Sequence, residues 1–241
     1  MKFYLGTHMV HWLWTVDAPL FISTRRLERN KTLKPVLNSY AIDSGGFSEL
    51  SIYGEWQTSV GEYTERIKRY REGLGEPDFI AQQDWMCEDF ILKKTGLSVK
   101  EHQTRTVDNF LELSGHADNI IPVIQGFTKN EYIDCIEMFL KAGVDLANYP
   151  TVGLGSICRR QSMDEVVEIV KYITSYGIKL HGFGVKQAGL KNMGHLLKSA
   201  DSMAWSFNAR HEKPLPDCTH NNCASCIEYA LNWYNKIINL N

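Results

Sequence analysis

Short apolar runs that end in a polar or glycine residue and then enter a capped helix recur along this chain. That rhythm restricts its fold more than any other feature. Candidate strands cover 3–7, 39–43, 78–83, 120–125, 151–155, 179–184 and 202–206. Three helices open with capping boxes: Ser98-Val99-Lys100-Glu101, Thr128-Lys129-Asn130-Glu131 and Ser162-Met163-Asp164-Glu165. In each, a hydroxyl caps the amide three residues on and the glutamate reaches back. The second and third helices carry apolar residues at helical spacing (Ile133, Ile136, Leu140; then Val166, Ile169, Val170, Ile173) and stop at Gly143 and Gly177. Strand–helix alternation predicts an α/β protein with a mostly parallel sheet, either a barrel or an open doubly wound sheet. Seven strands are visible, so the eighth of a barrel is missing, degenerate or hidden between 10 and 38. The segment 51–59 reads as a small hairpin inserted after the second strand.

The strand ends favour a (β/α)8-type TIM barrel. They carry His8, Asp43, Asp84, Gln125, Gly155, Gly184 and, near the last strand, Asp201. Barrels of this kind gather functional groups at the C-terminal rim, whereas helix-on-sheet packing has no use for so many acids and amides there. Residues 1–241 read as one domain, whose segment 211–241 holds a metal-binding cluster and a terminal helix.

A formal net charge of −2 over 241 residues gives no overall basic field for nucleic acid. Any such contact must be local, with Arg25-Arg26, Arg29, Lys31 and Arg159-Arg160 as candidates and Arg210 and His211 as further phosphate contacts. No apolar run approaches membrane-spanning length, and the first residues form a strand pattern without a signal-peptide layout, so a cytoplasmic protein with no membrane partner is expected. Of six cysteines, Cys87, Cys135 and Cys158 are scattered, while Cys218, Cys223 and Cys226 fall within nine residues. With His220 they form C-x-H-x2-C-x2-C, four ligands suited to a closed tetrahedral zinc site of structural type, with His211 as an alternative fourth ligand. The helix that follows places Ile227, Leu231, Tyr234 and Ile238 on one face, which the metal would pin to the body.

Asp43-Ser44-Gly45-Gly46-Phe47 sets a carboxylate at a strand end before two glycines, where a ligand can approach the backbone closely. The acid can equally bond its own turn. Asp84 and Gln125-Gly126 together suit the hydrogen-bonding edge of a purine, and each can also cap a helix. Gly153-Leu154-Gly155-Ser156 offers backbone N–H groups to a carbonyl oxygen or a phosphate. It lacks the Gly-x-x-x-x-Gly-Lys pattern, and Gly182-Phe183-Gly184 lacks the third glycine of a dinucleotide fingerprint, so no nucleotide cofactor is expected. Asp201 supplies a second acid on the rim, the minimum for glycosidic chemistry, or else a strand-start acid satisfied by neighbouring amides. Trp12, Trp14, Trp56 and Trp205 are candidates for stacking on a base or for the core.

Taken together, these residues resemble the tRNA-guanine transglycosylase superfamily, zinc-containing barrels that exchange guanine for a 7-deazaguanine. Asp43-Ser44-Gly45-Gly46-Phe47 is similar to its acid/base motif, Asp84 to its base-recognition Asp and Ile124-Gln125-Gly126 to its Val-Gln-Gly element. Gly153-Leu154-Gly155 resembles the loop that donates to the guanine carbonyl, and Asp201-Ser202 the dipeptide that carries the nucleophile. Two departures stand out. Ala204 occupies the place of a further acid, and His220 replaces a cysteine while Cys226 replaces a distant ligand. In length the chain is most like the short, often phage-encoded, DpdA-like enzymes that insert 7-deazaguanines into DNA. The resemblance implies a bacterial or phage-infected cell, exchange of guanine in DNA for 7-cyano-7-deazaguanine, Asp201 as nucleophile at C1′ and Asp43 as the proton donor, its pKa raised by burial. Ser44, Gly45, Phe47, Asp84, Gln125, Gly126, Gly153 and Gly155 would hold the base, and Arg159, Arg160 and Arg210 the nucleic acid. Exchange on tRNA, a non-catalytic binding subunit and a small-molecule hydrolase or lyase are the alternatives. A homodimer or accessory protein is left open.

Overall fold

A computed structural model describes residues 1–157, 160 and 164–240. Among them, the strands are β1 (Lys2–Thr7), β2 (Leu20–Ser23), β3 (Tyr40–Asp43), β4 (Ile80–Ala81), β5 (Ile120–Ile121), β6 (Val123–Ile124), β7 (Val152–Leu154), β8 (Leu180–Gly182) and β9 (Ser199–Ser202). All run parallel, in the order β5-β4-β3-β2-β1-β9-β8-β7-β6. Only Pro122 separates β5 from β6. Proline has no N–H to give the ladder, so β5 stays paired with β4 while β6 pairs with β7. The Pro122 carbonyl still accepts from Gly153 N at 2.8 Å. β5 and β6 are thus halves of one strand, and through them the ring closes as an eight-membered (β/α) barrel.

The eighth strand is β2, within the interval left open between 10 and 38. It is four residues long and passes directly into a helix. The helices are α1 (Thr24–Leu27), α2 (Gly46–Tyr53), α3 (Val60–Leu74), α4 (Asp89–Thr95), α5 (Val99–Ser114), α6 (Lys129–Lys141), α7 (Asp164–Thr174), α8 (Gln187–Met193), α9 (Ala204–Asn208) and α10 (Ile227–Ile238). Capping boxes start α5 and α6 as expected, and an unforeseen one, Ser59 with Glu62, starts α3. The expected box at Ser162 lies outside the described residues. Gly143 and Gly177 follow their helices at φ +83° and +78°.

Four expectations need correction. Most of the supposed hairpin 51–59 is the end of α2 and the turn after it, with Ile52 and Tyr53 facing solvent. Buried Glu49 on α2 accepts from Arg25 Nη1 at 2.6 Å, Gln57 N at 2.9 Å and Thr58 Oγ1 at 3.3 Å, which draws that turn against the barrel. The last strand is 199–202 and not 202–206. Ser202 Oγ accepts from Ala204 N, the chain turns into α9, and buried Trp205 donates to Gly6 O at 2.8 Å. On α6 the buried stripe is Tyr132, Cys135 and Phe139, with Leu140 exposed. On α10 it centres on Ala230 and Ile237, while Ile227 and Ile238 are exposed; Trp233 and Tyr234 pack on Phe3 at ring separations of 5.8 and 6.1 Å.

Strand side chains alternate between the helix layer and the barrel interior. Leu5, Leu20, Ile22, Ile42, Ile80, Leu154 and Leu180 belong to the large core beneath the helices. Tyr4, Phe21, Ala41, Phe79 and Ile121 form a separate cluster with Phe183 packed on it, and His181 sits among these rings. That interior plug closes the barrel and separates a cavity at the C-terminal mouth from one at the opposite end, lined by Lys2, Asp78 and Lys198.

Candidate active site

Asp43 reaches the mouth because it is two residues beyond Ala41 on β3, on the inner face. The chain then turns sharply: Gly45 adopts φ +84°, and its N–H donates to Asp43 Oδ2 at 3.1 Å. A Cβ there would also lie 2.8 Å from Arg25 Cγ, so both backbone and space require glycine. By the same alternation Asp201 on β9 faces inward with Ser199, and Gly184 N donates to its Oδ1 at 3.0 Å. Asp43, Asp84 and Asp201 line one cavity of about 320 Å³, together with Ser44, Phe47 and Gly155.

The cavity shapes the acidity of its carboxyls. Burial pushes Asp43 up to about 6, with the Asp201 charge adding and the Ser23 hydroxyl and Gly45 N–H opposing. Burial likewise pushes Asp84 up to about 7; Asp43 and Glu88 add, while its own backbone N–H and Gln125 oppose. An acid held near neutrality can both give and take a proton under ordinary conditions.

Gln125 is fully buried behind the cavity wall. Its Nε2 donates to Asp84 Oδ2, and its Oε1 lies 2.7 Å from Ser156 Oγ, which in turn lies 2.9 Å from Glu88 Oε2 and accepts from Cys87 N at 2.8 Å. Gln125 therefore orients Asp84 and does not itself line the cavity. Gly155 is needed beside it, since a Cβ would fall 2.1 Å from Gln125 Nε2. The Gly155 N–H, expected to donate to a base, is already bonded to Ile124 O at 3.1 Å as the β6–β7 ladder continues. Gly126 and Gly153 make room for the α6 backbone and the Phe183 ring respectively, and both lie outside the lining.

The expected nucleic-acid contacts divide. Arg159 lies outside the described residues. Arg160 is buried: it donates to Phe127 O, pairs with Glu165 at 2.9 Å and lies over the Phe127 ring at 3.8 Å, so it presents no cation to a surface ligand. Arg210 is exposed. Arg26 and His8 line the cavity, and the positive charges of Arg26 and Arg210 both act on His8, whose pKa is lowered first by burial and then by those charges. Arg26, Ser156, Gly184 and Met203 also line the cavity; Arg26 was expected only as a local phosphate contact, Gly184 only as a strand-end residue and Ser156 only within the glycine loop, while Met203 had no expected role. The adjacent arginines just past a strand end were the available signal for Arg26. Trp12 and Trp205 are buried and stacked on each other at 5.4 Å, while Trp56 donates to Asp84 O; these are packing roles.

The ligand atoms of Cys218, His220, Cys223 and Cys226 lie within 4.8 Å of one another. Cys218 and Cys226 sulfurs are 3.7 Å apart, and His220 Nε2 is 3.2 Å from Cys223 Sγ. A tetrahedron with metal–sulfur bonds of about 2.3 Å has sulfur–sulfur edges of roughly 3.8 Å, so the set fits a metal ion. His220 is the histidine of this set; His211 instead packs its ring on Phe207 at 4.9 Å. The loop is tied to the barrel by Ser206 Oγ donating to Ala224 O at 2.8 Å and by Ser225 Oγ 3.0 Å from His8 Nε2.

A family model described as DpdA, DeoxyPurine in DNA protein A, matches residues 1–241. None of the curated proteins compared matches the chain. No helix among the described residues is long and apolar enough to cross a membrane.

Proposed function

The chain belongs to the DpdA family, DeoxyPurine in DNA protein A, and from that premise we propose that it replaces guanine in DNA by a 7-deazaguanine, with 7-cyano-7-deazaguanine as the incoming base. The observation that carries this reading is the meeting of Asp43, Asp84 and Asp201 in one cavity at the barrel mouth. The target nucleotide leaves the stack to enter it, because C1′ and the base edge cannot both be reached within a duplex. Ionised Asp84, oriented by Gln125, accepts hydrogen bonds from the N–H groups of the guanine edge. An Asp201 oxygen forms a bond to C1′ as the bond from C1′ to N9 breaks, and the departing base takes the bonding pair and the proton of Asp43. Then N9 of the incoming base loses its proton to Asp43 and attacks C1′, releasing the Asp201 carboxylate.

The direct test supplies guanine-labelled duplex DNA or tRNA with 7-cyano-7-deazaguanine and follows release of label. Release from DNA is expected; release from tRNA alone would overturn the choice of nucleic acid, and release from neither would overturn the activity.

Arg210, as expected, and Arg26, in place of buried Arg160, would hold phosphates beside the mouth. Replacing either by Ala should weaken DNA binding across sequences. It should also lower the slope of log affinity against log salt by about 0.9 for each phosphate that is no longer neutralised, measured by titration at several salt concentrations.

Zinc is the metal proposed for the Cys218, His220, Cys223 and Cys226 set. With four protein ligands it would leave no open position, so its role is to hold the loop and α10 on the barrel. Chelation at neutral pH, or Cys223→Ser, should lower Tm by about 10 °C or more, as loss of several kcal/mol implies for a chain of this size. Calorimetry of metal-loaded and chelated protein checks this; an unchanged Tm would remove the structural assignment.

A further inference from the structure

His181 is a fully buried imidazole for which the base-exchange scheme above has no use. It stands on β8 in register with Ser199 of β9, and both side chains face the barrel interior with Asp201. Its ring is enclosed by Tyr4, Phe21, Phe79 and Phe183. Nδ1 lies 2.9 Å from Ser199 Oγ, and Nε2, which makes no hydrogen bond, lies 3.3 Å from Asp201 Oδ1.

We propose that His181 is a positioning residue for the nucleophile, with its Nε2–H directed at Asp201 Oδ1 from beneath the active site. The placement of one proton decides this. Ser199 can either donate to Nδ1 or accept from it. If Ser199 accepts, a neutral ring presents a bare lone pair from Nε2 to a carboxylate oxygen beside an apolar plug, which leaves Nε2 unsatisfied and repelling that oxygen. If Ser199 donates, Nε2 carries the proton and Asp201 Oδ1 gains a second donor beside Gly184 N–H. With Oδ1 held by two donors, Oδ2 is the oxygen left to approach C1′. The distance leaves room for this contact to shorten as the substrate seats. The aromatic enclosure limits how the imidazole can turn, so the direction of its N–H is built into the barrel and not into a mobile loop.

This inference rests on Asp201 being the nucleophile, and two measurements separate the two claims. Long-range proton–nitrogen NMR spectra of the substrate-free protein report which His181 nitrogen carries hydrogen, whatever the activity. The expected result is a protonated Nε2 whose resonance moves in Asp201→Asn; a bare Nε2 would overturn the proposal. In the exchange assay, His181→Phe fills the aromatic plug but removes the donor, and His181→Gln restores an N–H near the Nε2 position. His181→Phe should lower kcat about 10- to 100-fold with KM for the incoming base unchanged, and His181→Gln should recover most of the loss. Equal loss in both variants, or a change in KM alone, would assign His181 to packing. If His181→Phe does not fold, a donor role is still decided by His181→Gln and the spectra. Exchange that survives in Asp201→Asn would instead overturn the nucleophile assignment, leaving the spectroscopic result for His181 standing.

Discussion

Asp201→Asn is expected to abolish base exchange, with a loss of at least about 10⁴-fold, while the protein stays folded. The amide has the size of the carboxyl, and its oxygen can still accept from Gly184 N–H, which now bonds Asp201 Oδ1 at 3.0 Å. What it lacks is a charged oxygen able to form a bond to C1′ and later leave as a carboxylate. Neither Asp43 nor Asp84 can take over without changing role. Asp43 is held by the Gly45 amide at the opposite β3 position, and Asp84 is bonded by Gln125. Binding of DNA should be nearly unchanged, so a DNA-binding assay and a thermal melt on the same preparation separate lost chemistry from lost structure. Exchange within tenfold of the wild type would move the nucleophile elsewhere on the rim.

Asp43→Asn should slow release of guanine by about 10² to 10⁴-fold, the usual range for a lost general acid. The wild type should carry the matching signature in its pH dependence. Burial raises the pKa of Asp43 from 3.8 to about 6, so its acid form is favoured below that value and lost above it. In a single turnover without incoming base, guanine release should therefore fall as pH rises through about 6, by up to tenfold per unit. Asp43→Asn should flatten that limb. Asp84 titrates in the opposite functional sense. It must be ionised to accept from the guanine N–H groups, yet burial holds it protonated up to about 7 in the free protein. A seated base supplies donors to the carboxylate and so draws its pKa down. Guanine should accordingly bind more weakly as pH falls below about 7, and that dependence should vanish in Asp84→Asn.

The link between sequence and site differs from residue to residue. The place of Asp43 was legible because a strand end puts its last inward residue on the barrel mouth; that of Asp201 was not, since a last strand at 202–206 sets it before the strand, and only β9 at Ser199–Ser202 brings it to the mouth. The ring of strands was legible from alternation, but β2 was not, since four residues between Pro19 and a short helix give no period to read. Pro122 hid a different fact, that one strand is paired as two. Roles that depend on backbone hydrogen bonds were out of reach: the Gly155 N–H looked available, and only the ladder reveals that it is bonded to Ile124. Charge was misleading for a similar reason. Arg160 looks like any surface cation in a string of letters, and it is the Phe127 carbonyl and Glu165 that bury it. His181, between Leu180 and Gly182, reads as a core residue until the register sets it under Asp201.

A sugar–enzyme bond at Asp201 would be visible by intact mass measurement. Protein is mixed with a short DNA carrying guanine, the incoming base is withheld, and the reaction is quenched in acid. The expected result is a protein species heavier by the oligonucleotide less guanine, mapping to the peptide that contains Asp201 and absent in Asp201→Asn. Addition of 7-cyano-7-deazaguanine before the quench should discharge it. Turnover of labelled guanine with no such species, or an adduct that maps to another acid, would rule out Asp201 as the nucleophile.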